Sequence, residues 1–156
     1  MRAKWAVIAL VATSAGLTGA AYAGKLTKAA EAEIRKMIDI VAPSGDRIGA
    51  IQYGELSTGG MASISFEGDQ LHEYYFNATC DDDCGDLNLA VLDAAGVELD
   101  VDDADDAAPV VEVLADRTAP GADEDKANPR PMTIEVRMIA CKAATCAYGF
   151  AVTRTE

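Results

Sequence analysis

Two groups of acidic side chains carry the densest set of possible metal ligands in the sequence. The first group surrounds a pair of cysteines and comprises Asp81, Asp82, Asp83, Asp86 and Asn88; the second spans the end of a strand-like segment and the loop after it and comprises Asp100, Asp102, Asp103, Asp105 and Asp106. Calcium takes about six to eight oxygen ligands, so either group could hold it. Neither group matches an EF-hand loop, because the invariant glycine and the terminal glutamate are missing. The alternative is a solvated acidic rim that keeps edge strands from pairing with other chains.

The four cysteines predict two local disulfide bonds, Cys80–Cys84 and Cys141–Cys146. An even number of cysteines in an exported chain favours disulfides, and the wide separation of the two pairs makes a zinc site a poor rival. The three aspartates after Cys80 are just enough to turn the chain back. The four residues between Cys141 and Cys146 have the length of a hairpin connection.

The segments on either side of Cys141 and Cys146 are therefore predicted to pair as a hairpin. The register that opposes Val136 to Phe150 and Met138 to Tyr148 gathers the large apolar side chains on one face. The free energy gained by burying several such side chains exceeds that of placing Cys141 directly opposite Cys146. We expect an irregular tip beside the two cysteines as a result.

Catalytic chemistry has little support in the sequence. His72 is the only histidine, so a Ser–His–Asp or Cys–His centre would have to use it. A lone histidine at a strand is more often structural or solvent-exposed. A carboxylate pair could hydrolyse glycosides, but among 26 acidic residues some pair always has a suitable spacing. The sequence thus favours a protein that is not an enzyme, with a secreted hydrolase as the last alternative.

The first 23 residues are typical of a secretory signal peptide. Arg2 and Lys4 precede an apolar run from Trp5 to Leu17, and Ala21-Tyr22-Ala23 offers a cleavage site after Ala23. The apolar run is shorter than the roughly 20 residues that a membrane span needs. We therefore expect a periplasmic or secreted protein that does not insert in a membrane after cleavage.

The charge of the chain is strongly negative. Removal of Arg2 and Lys4 takes the formal net charge from −13 to −15. From Ile48 to Asp116 the sequence has no lysine or arginine and 17 acidic residues. Such a surface repels nucleic acid and anionic lipid and favours cations or basic partners.

The segment 24–45 is predicted to hold one amphipathic helix over residues 27–41. Its apolar side chains recur at helical spacing: Ala30, Ile34, Met37, Ile38 and Val41. Thr27 is a suitable N-cap, and Pro43-Ser44-Gly45 ends the helix. The helix could pack on the domain or detach to bind a partner.

The rest of the chain, 46–156, has the period of two that is typical of strands. We predict strands at 48–56, 61–67, 71–80, 86–93, 97–102, 108–115, 131–141 and 146–154, and a long loop at 116–131. Short strands at this spacing indicate an all-β fold, an antiparallel β-sandwich of about eight strands. Alternation places Val97, Leu99 and Val101 inside, and Glu98, Asp100 and Asp102 on a wet acidic face.

A series of short motifs resembles the bacterial pre-peptidase C-terminal (PPC-like) domain: Tyr75-Phe76, the acidic cysteine loop, Asp86-Leu87-Asn88-Leu89, Leu92-Asp93-Ala94-Ala95-Gly96 and Ile134-Glu135-Val136. The resemblance covers about residues 60–154. It implies a small β-sandwich, often attached to secreted proteases, where it helps to bind substrate or assists secretion; some members bind calcium. Asn88 replaces the second Asp of the family's strand. A helix rather than a peptidase precedes the domain, and the two cysteine pairs suggest a free-standing, exported form of it.

These observations predict an exported, non-catalytic binding or accessory module. Its partner would be a protein or a cell-surface polymer, held through the acidic face or the helix. The alternative is a calcium-stabilised domain that binds carbohydrate or another surface through an exposed aromatic platform. No cofactor other than calcium is expected.

Overall fold

A computed structural model describes residues 26–43, 46–118 and 127–155. The predicted signal peptide and its cleavage site lie outside these ranges, as do Ser44, Gly45 and the middle of the predicted long loop. No helix in the described ranges is long and apolar enough to cross a membrane.

The described residues form one helix and eight strands, and they confirm the predicted all-β sandwich. The elements are α1 (Lys28–Val41), β1 (Arg47–Leu56), β2 (Met61–Asp69), β3 (Glu73–Cys80), β4 (Cys84–Asp93), β5 (Glu98–Asp102), β6 (Val110–Val113), β7 (Pro129–Cys141) and β8 (Cys146–Thr155). Each strand begins and ends within two residues of its prediction.

The strands form two antiparallel sheets of four strands each. Sheet 1 has the order β1-β8-β3-β6, and sheet 2 has the order β2-β7-β4-β5. Their inner faces enclose a core in which Phe76, Phe150, Leu89, Ile134 and Val136 are almost completely buried. Because β5 and β6 are the last strands of their sheets and contact each other, they lie together at one edge of the sandwich.

Helix α1 packs on the outer face of sheet 1, over β8 and β3. Ile34 and Ile38 are fully buried there, against Ala147 and Ala151 of β8. The Thr27 side chain accepts a hydrogen bond from the Ala30 amide, as predicted for an N-cap. The helix is therefore an integral layer of the fold in this structure.

The predicted hairpin between β7 and β8 is wrong. The two strands lie in different sheets, so Val136 does not pair with Phe150; it lies opposite Ala62 and Leu89, whereas Phe150 lies opposite Gln52 and Ala78. The large apolar side chains of both strands still reach one core, because they face each other across the sandwich rather than along a ladder. The connection 142–145 therefore crosses from sheet 2 to sheet 1.

The predicted alternation of β5 is also wrong in part. Asp102 is directly opposed to Leu89, whose side chain is fully buried in the core, and Val101 is opposed to Ala90. Directly opposed residues share a face, so Asp102 points inward and Val101 outward. An irregularity in the β4–β5 ladder near Val91 shifts the register, and such a shift exchanges the two faces.

Candidate functional site

Six exposed carboxylates line the edge of the sandwich where β5 and β6 meet. We call this surface the acidic edge; it consists of Glu98, Asp100, Asp103, Asp105, Asp106 and Glu112. Five of these residues come from β5 and the connection that follows it. The sixth, Glu112, projects from β6. The acidic face that the sequence predicted is thus concentrated at one edge.

A cleft of about 410 Å³ opens at the acidic edge between the two sheets. Asp100 and Glu112 contribute carboxylates, and Leu99, Val113 and Leu114 contribute apolar surface. Leu114 is 60% exposed and gives the cleft an apolar rim. The guanidinium of Arg130 also lines the cleft and donates a hydrogen bond to the Leu114 carbonyl oxygen over 2.8 Å. The cleft therefore presents two carboxylates and one guanidinium beside an accessible apolar side chain.

Asp102 has a structural role at the acidic edge. Its Oδ1 accepts a hydrogen bond from the Ala104 amide, and its Oδ2 accepts one from the Val110 amide over 2.9 Å. The second bond occupies a backbone donor of the edge strand β6. Asp102 thus blocks one of the groups through which another chain could extend the sheet.

The first predicted calcium group is divided between two places in the structure. Asp81 lies in the turn between β3 and β4, where its Oδ2 accepts a hydrogen bond from the Ala147 amide over 2.7 Å. Asp82 and Asp83 are exposed at the tip of that turn. Asp86 lies on β4, where the ladder to β7 is irregular on both sides of it.

Asp86 lies close to members of the second predicted group. The pKa of Asp86 is raised by burial and by repulsion from Asp105 and Asp106. The Leu87 amide beside Asp86 donates a hydrogen bond to the Asp106 carbonyl oxygen over 2.8 Å, which holds the two segments together. The Oδ1 atoms of Asp86 and Asn88 are buried and have no hydrogen-bond partner among the described residues. Oδ1 of Asp81, in the turn between β3 and β4, is also buried without a hydrogen-bond partner in the described part of the chain.

Within the described part of the chain, no group of three or more His, Cys, Asp or Glu side chains is arranged to hold a metal ion. A calcium ion bound near Asp86 would therefore need the Asn88 amide oxygen, backbone carbonyls or water as further ligands. The sequence placed the ligands in two separate groups, whereas the structure brings Asp86 of one group to Asp105 and Asp106 of the other.

His72 is held by a carboxylate in the turn between β2 and β3. Its Nδ1 lies 2.7 Å from Oδ1 of Asp69. The same carboxylate accepts hydrogen bonds from the backbone amides of Leu71 and His72 and from the Tyr74 hydroxyl. All of these bonds fix one turn, so the contacts of His72 are structural in character. The sequence marked Asp69 only as part of a turn, Glu67-Gly68-Asp69, and did not identify it as the partner of His72.

The aromatic side chains of the described residues form no exposed platform. Tyr74, Phe76, Tyr148 and Phe150 are buried, and Phe66 packs edge-to-face on Tyr74 and Phe76. Two others, Tyr53 and Tyr75, are half-buried; the Tyr75 hydroxyl donates a hydrogen bond to Glu112.

Both predicted disulfide bonds are present. Cys80–Cys84 and Cys141–Cys146 have Cα–Cα distances of 5.9 Å and 5.8 Å. No cysteine of the chain is left as a free thiol. The two bonds indicate an oxidising environment, such as that outside the cytoplasm.

The residues of the cleft other than Asp100 were missed in the sequence as site residues. Arg130 lies far along the chain from Asp100. Glu112 and Leu114 belong to a segment that was interpreted from the sequence only as a strand. The alternation Val-Glu-Val-Leu from Val111 to Leu114 does place Glu112 and Leu114 on one face.

No protein-family profile matches this chain, and a search of curated proteins finds no significant match.

Proposed function

We propose that the protein is an exported, non-catalytic binding module whose acidic edge receives a basic segment of a partner protein. The cleft between Asp100 and Glu112, with the exposed Leu114 at its rim, is the observation that carries this proposal. The disulfides and the predicted signal peptide together favour the periplasm or the outside of the cell. The resemblance to PPC-like domains, with the two-sheet sandwich, supports an accessory role.

The proposed partner is a segment in which a cationic side chain lies next to an apolar one. A lysine or arginine could enter between Asp100 and Glu112, while its apolar neighbour covers Leu114. Exposed charge pairs contribute about 0.2–1 kcal/mol each. Burial of the leucine adds about 25 cal/mol for each Å² of apolar surface removed from water. The charges therefore provide specificity and speed of association, and the apolar contact provides part of the affinity.

A short fluorescent peptide in which lysines flank a leucine tests this site by fluorescence anisotropy. The double variant Asp100→Asn/Glu112→Gln should weaken binding about three- to tenfold, which corresponds to the loss of two exposed charge pairs. Leu114→Ala should weaken it further. The affinity should fall as sodium chloride is raised, because salt screens exposed charges.

The control is Asp82→Asn/Asp83→Asn, which removes the same charge from the exposed turn at the end of β3. This variant should bind the peptide almost as well as the unmodified protein. Equal loss in the two double variants would mean that the peptide responds only to net charge, and the cleft would not be the site.

A second candidate function is a calcium-stabilised surface-binding domain. The unpartnered Oδ1 atoms of Asp86 and Asn88, with Asp105 and Asp106 nearby, favour a cation at this position. The ion would remove the repulsion that raises the pKa of Asp86 and would join β4 to the connection between β5 and β6. A sugar ligand would have to be bound through polar groups, because the described aromatic side chains form no exposed platform.

A further inference from the structure

The four cysteines lie together at one end of the sandwich. Cys80 ends β3 and Cys146 begins β8, both in sheet 1. Cys84 begins β4 and Cys141 ends β7, both in sheet 2. Each disulfide therefore joins one sheet to the other, and the two bonds are neighbours.

A second set of bonds is compatible with the same strand register. Cys84 and Cys141 are directly opposed in the β4–β7 ladder. Such residues have Cβ atoms about 4.5–5.5 Å apart, and a disulfide needs Cα atoms within about 4.4–6.8 Å. In sheet 1, Cys80 is opposed to Tyr148, two residues beyond Cys146, so Cys80 and Cys146 are diagonal neighbours on the inner face. Diagonal neighbours are about 7–8 Å apart, so a small movement of the strand ends would bring them within reach.

Cys141 is the most exposed of the four cysteines. Cys141 is partly exposed, whereas Cys80, Cys84 and Cys146 are 3%, 7% and 0% exposed. Thiol–disulfide exchange begins when a thiolate attacks an accessible disulfide sulfur. Attack at Cys141 releases the thiolate of Cys146, which is buried on the same face as Cys80.

We propose that the two disulfides form one exchange site that an external thiol opens at Cys141. The thiolate bonds to Cys141 and releases Cys146 as a thiolate. Cys146 then attacks Cys80, forms Cys80–Cys146 and releases the thiolate of Cys84. Cys84 attacks Cys141, forms Cys84–Cys141 and returns the external thiolate. No electron is gained or lost overall, so the external thiol acts as a catalyst.

The two states of the site restrain different parts of the fold. In the state described here, each bond closes a short connection between sheets, and one of them holds the acidic turn of Asp81 to Asp83. In the exchanged state, each bond lies within one sheet and closes a loop of more than 50 residues, which restricts the unfolded chain more strongly. The exchange would free the acidic turn while it locks β4 to β7 and β3 to β8.

Peptide mapping of the folded protein under non-reducing conditions tests the proposal. The protein is incubated with a mixture of reduced and oxidised glutathione without denaturant, and samples are quenched over time by alkylation. We expect glutathione on Cys141 first, followed by peptides that contain Cys84–Cys141 and Cys80–Cys146. Persistence of the two original bonds at every time, or first attack at another cysteine, would overturn the proposal.

A double variant provides a second test that requires no exchange. Cys80→Ser/Cys146→Ser leaves only the opposed pair Cys84 and Cys141. In the folded state these thiols should oxidise to a disulfide at least about tenfold faster than in guanidinium chloride, because the register holds them together. Equal rates in the two conditions would show that the register does not place them within bonding reach and would contradict the exchange.

Discussion

Asp69 and Asp86 are both partly buried, yet their surroundings act on the two carboxylates in opposite directions. Burial raises the pKa of Asp69, but hydrogen bonds from His72, Tyr74 and the Leu71 amide outweigh it and hold the pKa below its ordinary value. At Asp86, burial raises the pKa, and repulsion from nearby aspartates raises it further. The same residue type therefore stabilises the fold at one position and opposes it at the other.

The variant Asp69→Asn should destabilise the protein at neutral pH. A carboxylate whose pKa is lowered by folding contributes stability above its unfolded pKa, and this contribution is lost as the pH falls through the folded pKa. Loss of hydrogen bonds to a charged group should lower the free energy of unfolding by about 1–3 kcal/mol. Urea denaturation at pH 7 and near pH 3 measures the free energy of unfolding. The difference in this free energy between the variant and the unmodified protein should be smaller at the lower pH. Asp100→Asn, at an exposed position, serves as the control.

The variant Asp86→Asn should instead stabilise the protein at neutral pH. A carboxylate whose pKa is raised by folding costs stability when it is ionised, and the cost disappears as the pH falls below its unfolded pKa. The amide removes the charge, so this variant should unfold at a higher urea concentration than the unmodified protein at pH 7. The two should unfold alike near pH 3. A lower urea midpoint at pH 7 would mean that the ionised carboxylate has a stabilising partner.

At the scale of the elements, the small side chains on the outer face of β8 determine where α1 packs. Ala147, Gly149 and Ala151 alternate along that face, and a Cβ on Gly149 would lie 2.3 Å from Cγ2 of Ile34. The ion pair between Asp39 and Arg47, at 2.7 Å, joins the end of the helix to β1. The helix is thus held by close approach over small residues, with the ion pair at its end.

The variant Gly149→Ala should displace α1. The added methyl overlaps Ile34, and overpacking of this kind costs about 1–3 kcal/mol. Denaturation measures the loss, and faster amide exchange in α1 than in the strands would localise it. The matched control is Gly85→Ala, where the nearest atom to the new Cβ is 3.6 Å away. If both variants lose the same amount of stability, the loss at Gly149 comes from the change in the backbone and not from overlap with Ile34.

The elements themselves could be predicted from the sequence, but their partners could not. The apolar spacing of Ile34 and Ile38, and the alternation of strands, are local signals that the structure retains. The sheet to which a strand belongs depends on contacts between distant segments, so β7 and β8 were paired with each other instead of across the core. One irregularity near Val91 sufficed to place Asp102, rather than Val101, on the same face as Leu89, although Leu99 of β5 still packs against the core. The cleft depends on the same long-range arrangement, which explains why only Asp100 of its residues was anticipated.

At the scale of the whole molecule, the negative charge opposes compactness. The chain after the predicted cleavage carries a formal charge of −15, and the acidic edge concentrates part of it on β5 and β6. Sodium chloride should therefore raise the melting temperature by screening this repulsion. The same salt should weaken binding of the lysine peptide. A melting temperature that falls with added salt would show that attractive charge pairs outweigh the repulsion.

Calcium separates general screening from a specific site in the same melting experiment. At matched ionic strength, calcium bound near Asp86 should raise the melting temperature above the value in sodium chloride, because a ligand of the folded state at 100 times its dissociation constant adds about 2.7 kcal/mol. Magnesium should add much less, since it requires near-octahedral geometry. The variant Asp86→Asn/Asn88→Ala should abolish the calcium-specific rise, whereas Asp82→Asn/Asp83→Asn should leave it intact. An equal response to sodium and calcium would leave the carboxylates as an acidic rim that keeps the edge strands apart from other chains.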